Sequence, residues 1–250
     1  MTIPFLNIVC RQILAATLFF VGFGHALADT VRISGVGLSA PLMQRLSVAY
    51  RKLQPGDTIT VVLPPLGSDG ALRALAAGEL DLAVSGRPAK PEELVNIGKV
   101  SELARTPFGF ATRDGVRAAG LTRKDVADIY AGTLLTWDDG RPIRLIMRAE
   151  RETDTKLVRA LSLETNAAVD IAMKRKGLVV AENDLDMLRL LETVSGSFGP
   201  ITTGLIQLQD SKLRQLPLDG MLPEVRALAE GRYPLAKALY LALPKAPNKG

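Results

Sequence analysis

The chain has 250 residues, of which 47% are hydrophobic and 23% are charged, and its formal net charge at pH 7 is +5. This length and apolar share suffice for a buried core, and the basic residues are spread along the chain, which argues against a nucleic-acid-binding block. The only cysteine, Cys10, and the only histidine, His25, lie in the first 28 residues. If that segment is removed, disulfides, thiol nucleophiles, histidine bases and the usual nitrogen or sulfur metal ligands are excluded.

The first 28 residues have the composition of a secretory signal peptide. Arg11 precedes an apolar run at 13–23, and Ala26-Leu27-Ala28 closes the segment with a cleavage-site pattern. The run has about half of the roughly 20 residues that a membrane-spanning helix needs, which disfavours an uncleaved anchor. We therefore predict that residues 1–28 are removed on export and that the mature protein is periplasmic.

The rest of the chain alternates short β-branched runs with amphipathic stretches, which is the pattern of βαβ units around a parallel sheet. The predicted strands are 31–34, 58–63, 80–85, 108–112, 143–148, 178–181 and 197–202. The predicted helices are 42–53, 71–77, 122–130, 155–161 and 184–193. The pattern predicts an α/β fold.

Two breaks in the pattern suggest how this fold is divided. Thr106-Pro107 and the segment 200–204 bracket a middle block of the chain. We predict a first lobe at 29–107, a second lobe inserted at 108–204, and a return to the first lobe at 205–250. Ligands of such α/β sheets lie beyond the carboxyl ends of the strands.

Three strand-to-helix junctions place small hydroxyls where a helix begins: 35–41 (Gly-Val-Gly-Leu-Ser-Ala-Pro), 66–70 (Leu-Gly-Ser-Asp-Gly) and 148–155 (Arg-Ala-Glu-Arg-Glu-Thr-Asp-Thr). A helix start offers unpaired N–H groups and the positive end of the dipole, so a hydroxyl beside it can complete an oxyanion cradle. The alternative is an ordinary helix cap, because Ser, Thr and Asp are the preferred capping residues of any helix.

Seven segments occur in an order and spacing that point to a known family. They are 33–43, 67–73, 80–88, 121–132, 136–139, 195–199 and 231–240. From Val31 to Tyr240 the chain resembles the periplasmic phosphate-binding proteins of ABC importers. The resemblance implies the type II, two-lobed solute-binding fold, in which each lobe is a mostly parallel sheet flanked by helices and two crossing strands join the lobes.

The resemblance also implies a set of ligand-binding residues. The family's ligand loops fall on Ser39 with the amide of Ala40, on Ser68, and on Arg148 with the loop that follows it. The serines would donate hydrogen bonds, and Arg148 would supply a charge-assisted pair to the oxyanion. In the loop after Arg148, Thr153 and Thr155 are the expected donors. Arg87 is either a second cation at the ligand or a solvated loop arginine.

Two departures from the family pattern bear on the ligand. Gly86 stands where many phosphate binders have an aspartate that accepts the proton of the phosphate, a proton that sulfate, molybdate and tungstate lack. The family's Gly-Ser-Gly-Thr run is replaced by residues 151–154, which include Glu152 and Asp154. Carboxylates repel an oxyanion unless they are protonated or hydrogen-bonded to it. Either one of them replaces the missing acceptor or, as we expect, both point away, with Asp154 at the helix start.

Three further features have structural interpretations. Trp137 is expected to pack a turn in the second lobe. The pair Asp138-Asp139 and the pair Asp184 with Asp186 lack the spacing of a calcium loop, so both pairs are expected on the solvated surface.

The resulting prediction is a periplasmic, monomeric solute-binding protein without a metal or cofactor that captures a phosphate-like oxyanion for an ABC permease in the inner membrane. The alternative is an orphan or sensor relative that binds another oxyanion, of the sulfate, molybdate or tungstate type, or a partner protein. A serine hydrolase built on Ser39 or Ser68 is disfavoured, because no Gly-x-Ser-x-Gly elbow surrounds either serine and no histidine remains to activate it. We therefore predict that the protein is not an enzyme.

Overall fold

The computed structural model describes residues 30–246, so the predicted signal peptide lies outside the described residues. This part of the chain contains nine strands and nine helices. The strands are β1 (Thr30–Gly35), β2 (Thr58–Val61), β3 (Leu82–Ser85), β4 (Ile97–Thr112), β5 (Arg144–Arg148), β6 (Val179–Ala181), β7 (Ser197–Thr202), β8 (Arg214–Leu216) and β9 (Ala236–Pro244). The helices are α1 (Ser39–Arg51), α2 (Gly67–Ala76), α3 (Pro91–Leu94), α4 (Arg123–Ala131), α5 (Thr153–Arg159), α6 (Leu163–Lys174), α7 (Asp184–Thr193), α8 (Thr203–Leu208) and α9 (Val225–Ala229).

The strands form two parallel groups that two long strands connect. The order is β2-β1-β3-β9-β4-β7-β5-β6, with β8 beside β4. Strand β1 runs parallel to β2 and β3, and β5 runs parallel to β6 and β7. We call β1–β3 with their helices the first lobe and β5–β7 with theirs the second lobe. The predicted fold of two mostly parallel sheets joined by crossing strands is confirmed.

Strand β4 belongs to both groups of strands. It pairs antiparallel with β9 from Ile97 to Pro107 and with β7 from Phe108 onward. The apolar second half of β4 was predicted as a strand, but its first half was not. Residues 98–105 are mostly exposed and include charged side chains, so they lack the apolar alternation that predicts a strand.

The predicted lobe boundaries at 107 and 204 stay predictions. Strand β8 lies within the predicted return to the first lobe, yet it pairs with β4 at Phe110–Thr112. Leu216 and Leu218 pack in the same buried cluster as Phe110. Part of the predicted return segment therefore contacts the second half of β4.

The second lobe has an aromatic core. The rings of Phe110 and Phe198 stack with their centroids 5.1 Å apart, and Trp137 meets Phe198 edge to face. As predicted, Trp137 is buried in a turn, where its Nε1 donates to the carbonyl of Gly196 at 3.1 Å. Asp138 and Asp139 are exposed, as expected.

A second apolar cluster spans both lobes. It contains Ile33 and Val84 from the first lobe together with Ile146 and Ile201 from the second. A third cluster, which includes Leu72, lies within the first lobe. The two lobes therefore share buried apolar surface as well as strands. No helix in the described part of the chain has the length and apolar character to cross a membrane.

Candidate functional site

A cleft of about 290 Å³ lies between the lobes, and charged and hydroxyl side chains line much of it. The first lobe contributes the start of α2, and the second contributes the residues around the starts of α5 and α7. Six lining residues matter below: Ser68, Arg73, Arg87, Arg148, Thr153 and Lys156. The cleft thus lies beyond the carboxyl ends of β3 and β5, as expected for an α/β fold.

The structure brings four of the seven predicted ligand residues to this cleft, namely Ser68, Arg87, Arg148 and Thr153. The other three are buried and are not part of its lining. Ser39 donates its hydroxyl hydrogen to the carbonyl of Val36 at 2.7 Å. The Thr155 hydroxyl lies 2.9 Å from the carbonyl of Ala149. Ala40 is buried beside Ser39.

The amides at the start of α1 already have acceptors. The N–H of Ser39 donates to Val36 at 2.8 Å, and that of Ala40 donates to Gly37 at 3.3 Å. The N–H of Leu38 donates to Oδ2 of Asp184 at 3.1 Å, across the lobes. A carboxylate of the protein itself therefore occupies the helix start at which the resemblance places the ligand.

Asp184 belongs to a buried cluster of four charged residues. Arg148, Asp154 and Lys237 are 3% exposed and Asp184 is 6% exposed. The ammonium group of Lys237 lies 2.7 Å from Oδ1 of Asp154 and 2.8 Å from Oδ1 of Asp184. Nε of Arg148 lies 3.5 Å from Oδ2 of Asp154. Burial of ionised groups is costly unless they are paired, and here each charge faces an opposite one.

Two expectations about carboxylates were wrong. Asp184 was expected on the solvated surface, but it is buried between the lobes at the first position of α7, where it pairs with a lysine from the distant strand β9. Glu152 was expected to point away from the site, but it lines the cleft and its Oε2 accepts from Nη2 of Arg148. Asp154, expected at the helix start and away from the ligand, lies in the first turn of α5 and is not part of the cleft lining.

The two aspartates of this cluster differ in their proton affinity. Burial acts to raise the pKa of Asp184, but the adjacent charges of Lys237 and Arg148 outweigh it and hold the pKa well below its usual range. Burial raises the pKa of Asp154; Lys237 and Arg148 oppose this effect, and the charge of Asp184 adds to it. The pKa of Lys237 is raised by the two carboxylates despite its burial. Asp184 is therefore the firmly ionised member of the pair.

The two terminal nitrogens of the Arg148 guanidinium donate hydrogen bonds, but its Nε does not. Its Nη1 donates to the carbonyl of Ala181 and its Nη2 to Oε2 of Glu152, both at 3.1 Å. Its Nε is buried and has no hydrogen-bond acceptor among residues 30–246. Orphaned buried donors are rare in proteins, so this N–H marks a position where an acceptor is expected.

Arg87 is committed to carboxylates of its own lobe. Its Nε donates to Asp69 at 3.0 Å and its Nη1 to Glu93 at 2.8 Å. These contacts raise the pKa of the Arg87 guanidinium, and they lower that of Glu93 to about 2. Arg87 is therefore not a solvated loop arginine, and its role as a second cation at the ligand stays a prediction.

Ser68 and Thr153 keep hydrogen-bonding capacity. The hydroxyl oxygen of Ser68 accepts the N–H of Gly86 at 2.9 Å, which leaves the hydroxyl hydrogen to be donated. A Cβ atom built on Gly86 would lie 3.5 Å from Oγ1 of Thr153 and 3.4 Å from Cε of Lys237. Lys237 thus stands opposite the glycine that replaces the family aspartate. Sequence reasoning missed Lys237, although a lysine within an apolar strand is unusual enough to have signalled a buried pair.

Comparison with known proteins identifies the family of the chain. The model of the PBP superfamily domain matches residues 24–250. A phosphate-binding protein PstS 2 of Streptococcus pneumoniae is 24% identical over 112 residues, which are 45% of this chain and 38% of the relative. The chain therefore matches less than half the length of that curated relative.

Solved structures share the fold at low identity. A candidate phosphate ABC transporter substrate-binding protein from Clostridium perfringens, solved with bound phosphate, has a TM-score of 0.70 at 18% identity, covering 89% of this chain and 88% of that one. An ABC-type phosphate transport receptor from Vibrio cholerae has a TM-score of 0.58 at 18% identity, covering 86% of each. Because the family model spans nearly the whole chain, we conclude that the chain belongs to the PBP superfamily, in agreement with the resemblance seen in its sequence.

Proposed function

We propose that this chain is a periplasmic solute-binding protein that captures a phosphate-like oxyanion between its lobes and delivers it to an ABC permease. Two similarities support the proposal: the family to which the chain belongs, and a fold shared with a C. perfringens protein that binds phosphate. In this proposal the segment 1–28 directs export, and the protein acts as a monomer without a cofactor.

The Nε–H of Arg148, which has no hydrogen-bond acceptor within residues 30–246, is the observation that carries the proposal. It is buried beside the cleft. The Ser68 hydroxyl hydrogen lies on the first-lobe side, and Thr153, for whose hydroxyl no bond is found within 30–246, lies on the second. We assign the oxyanion to these three donors, because charge-assisted bonds from both lobes would hold it between them.

The surroundings of the two serines support binding without turnover. Ser68 accepts a backbone N–H rather than facing a base. The hydroxyl of Ser39 is buried and donates to a carbonyl. A serine nucleophile needs an adjacent base that takes its proton, and neither serine has one among the described residues.

One observation favours the alternative, an orphan or sensor relative on the same fold. The carboxylate of Asp184 accepts a hydrogen bond from the N–H of Leu38. Without this bond, that N–H could donate to a ligand at the start of α1. A protein that has filled part of the family's site with its own carboxylate would bind a different anion, or a partner protein.

Calorimetric titration tests the proposal. The mature protein is titrated in parallel with phosphate, sulfate, molybdate and tungstate at neutral pH. We expect saturable binding of phosphate that weakens about tenfold in Ser68→Ala, since one hydrogen bond to a charged group is lost. Ser101→Ala, an exposed serine on β4, is the matched control and should bind as the parent does.

The outcomes separate the two functions. Preference for an unprotonated anion would favour the orphan or sensor relative with a changed specificity. Absence of binding to every anion tested would contradict the capture of an inorganic oxyanion and leave a partner protein as the remaining ligand of the alternative.

A further inference from the structure

The cleft is larger than a single tetrahedral anion requires. Its volume of about 290 Å³ is near the lower end of pockets that hold small organic molecules, roughly 300–1,000 Å³. An inorganic phosphate would fill only a small part of it. Building on the proposed function, we propose that the ligand is a phosphate ester with a second anionic group, and that Arg73 and Lys156 bind this second group.

The size of the cleft does not come from separated lobes. Leu38 and Asp184 are already hydrogen-bonded across the lobes at 3.1 Å. A Cβ atom on Gly37 would lie only 2.7 Å from Cβ of Asp184, so the two backbones are as close as a glycine permits. Closing the hinge further cannot remove the space, because the lobes already touch behind it.

The positive charges at the inner end of the cleft are already paired with carboxylates. Lys237 is shared by Asp154 and Asp184, and Arg148 faces Glu152 and Asp154. What this end offers is the guanidinium of Arg148, whose Nε–H has no hydrogen-bond acceptor within residues 30–246, rather than an excess of charge. One anionic group can be oriented here, but a doubly charged ligand needs more cations.

Those cations lie at the exposed end of the cleft. Arg73 on α2 and Lys156 on α5 line it from opposite lobes, and neither side chain has an ion pair or hydrogen bond within residues 30–246. Arg87, by contrast, is held by Asp69 and Glu93. The exposed Glu182 is the acidic lining residue without an ion pair in the described chain. Among the lining residues that lack an ion pair, the positive charges of Arg73 and Lys156 therefore outnumber the negative charge of Glu182.

The spacing between the hydroxyl residues and the cations along α2 and α5 suits a short ligand with two anionic groups. Arg73 is five residues beyond Ser68 on α2, and Lys156 is three beyond Thr153 on α5. At 1.5 Å per residue these separations are roughly 7 Å and 4–5 Å along the helix axes. A phosphate group at Ser68, Thr153 and Arg148 would therefore have its second anionic group, a few bonds away, beside Arg73 and Lys156.

The test compares three probes that differ in one feature each. Inorganic phosphate has one anionic group, glycerol 3-phosphate adds a neutral tail, and 3-phosphoglycerate has a carboxylate in place of the terminal hydroxymethyl group of that tail. We expect calorimetry to give 3-phosphoglycerate an affinity about tenfold or more above that of glycerol 3-phosphate, because it gains charge-assisted contacts. In the double variant Arg73→Gln/Lys156→Gln the two esters should bind equally, with inorganic phosphate unchanged.

The control is Lys99→Gln/Arg214→Gln, which removes the same charge from exposed positions on β4 and β8, away from the cleft lining. It should keep the preference for 3-phosphoglycerate. The inference is overturned if inorganic phosphate binds as tightly as 3-phosphoglycerate, or if the cleft variant and the control lose the preference alike; the proposed function survives both results. Absence of binding by all three probes contradicts the proposed function together with the inference.

Discussion

Lys237 is a fully enclosed cation whose ammonium group joins two carboxylates that lie far apart in the sequence. Asp154 is the second residue of α5, Asp184 begins α7, and Lys237 lies on β9. Its distances to the two carboxylates, 2.7 and 2.8 Å, are those of close ion pairs. Removing the cation that the two carboxylates share leaves buried negative charge uncompensated, which is far more costly than replacing the whole set.

We therefore expect Lys237→Met to lower the free energy of unfolding by about 3–5 kcal/mol, because two buried carboxylates lose their shared cation. Urea unfolding at pH 7 measures the change. Lys99→Met, at an exposed position on β4, should have almost no effect. Adding Asp154→Asn to Lys237→Met should restore part of the loss, and equal losses in the lysine variant and its control would contradict the ion-pair account.

The two aspartates should respond differently to substitution and to pH. The pKa of Asp184 is lowered in the folded protein, so its stabilising contribution is fully present above its unfolded pKa, about 3.9, and is lost as the pH falls below it. The pKa of Asp154 is raised, so the folded protein takes up its proton first and loses stability as the pH rises through that pKa.

Accordingly, Asp184→Asn should cost about 3 kcal/mol at pH 7, with a smaller loss toward pH 3. Asp154→Asn should be close to neutral or stabilising at pH 7, since it removes the charge that burial disfavours. Unfolding curves recorded from pH 3 to pH 8 for both variants test these two expected changes in stability. The assignment fails if Asp154→Asn is the more damaging of the two at neutral pH.

At the scale of elements, the contact between the start of α1 and the start of α7 depends on a glycine. A Cβ on Gly37 would meet both Cβ and the backbone N of Asp184 within 3 Å. Gly37→Ala should push α7 away from α1 and cost about 1–3 kcal/mol through overpacking. Amide exchange should detect the loss of the bond from Leu38 to Asp184 as faster exchange at Leu38.

Gly56→Ala is the matched control, because nothing lies within 4 Å of a Cβ at that position. Its amide exchange at Leu38 should equal that of the parent. Unchanged exchange at Leu38 in Gly37→Ala would mean that α7 is not held to α1 by this contact.

How far an element could be predicted depended on where its stabilising contacts come from. Helix α7 was predicted with its exact bounds, since Asn183 caps it and its apolar residues recur at helical spacing. The first half of β4 was missed because it pairs with β9, and its exposed side chains carry no strand periodicity. The site follows the same rule: Ser68, Arg148 and Thr153 come from local junctions, whereas the pairing of Lys237 depends on the tertiary fold.

At the scale of the whole molecule, the lobes share an apolar cluster and two strands, which predicts that they unfold together. Leu72 belongs to the core of the first lobe, whereas Trp137, the only tryptophan of the chain, reports on the second. Leu72→Ala should cost about 2–5 kcal/mol. In one cooperative unit, tryptophan fluorescence and circular dichroism should shift to the same lower midpoint. A Trp137 transition that does not move would instead indicate independently unfolding lobes.

The burial of Lys237 has a chemical consequence, because amine-reactive reagents modify lysines that solvent can reach. With 3% of its surface exposed and its ammonium group held between two carboxylates, Lys237 should remain unmodified while surface lysines such as Lys99 react. Its labelling rate, followed by peptide mass spectrometry, would then measure how often the lobes part. The protein thus contains a natural footprinting probe at the point where its two halves meet.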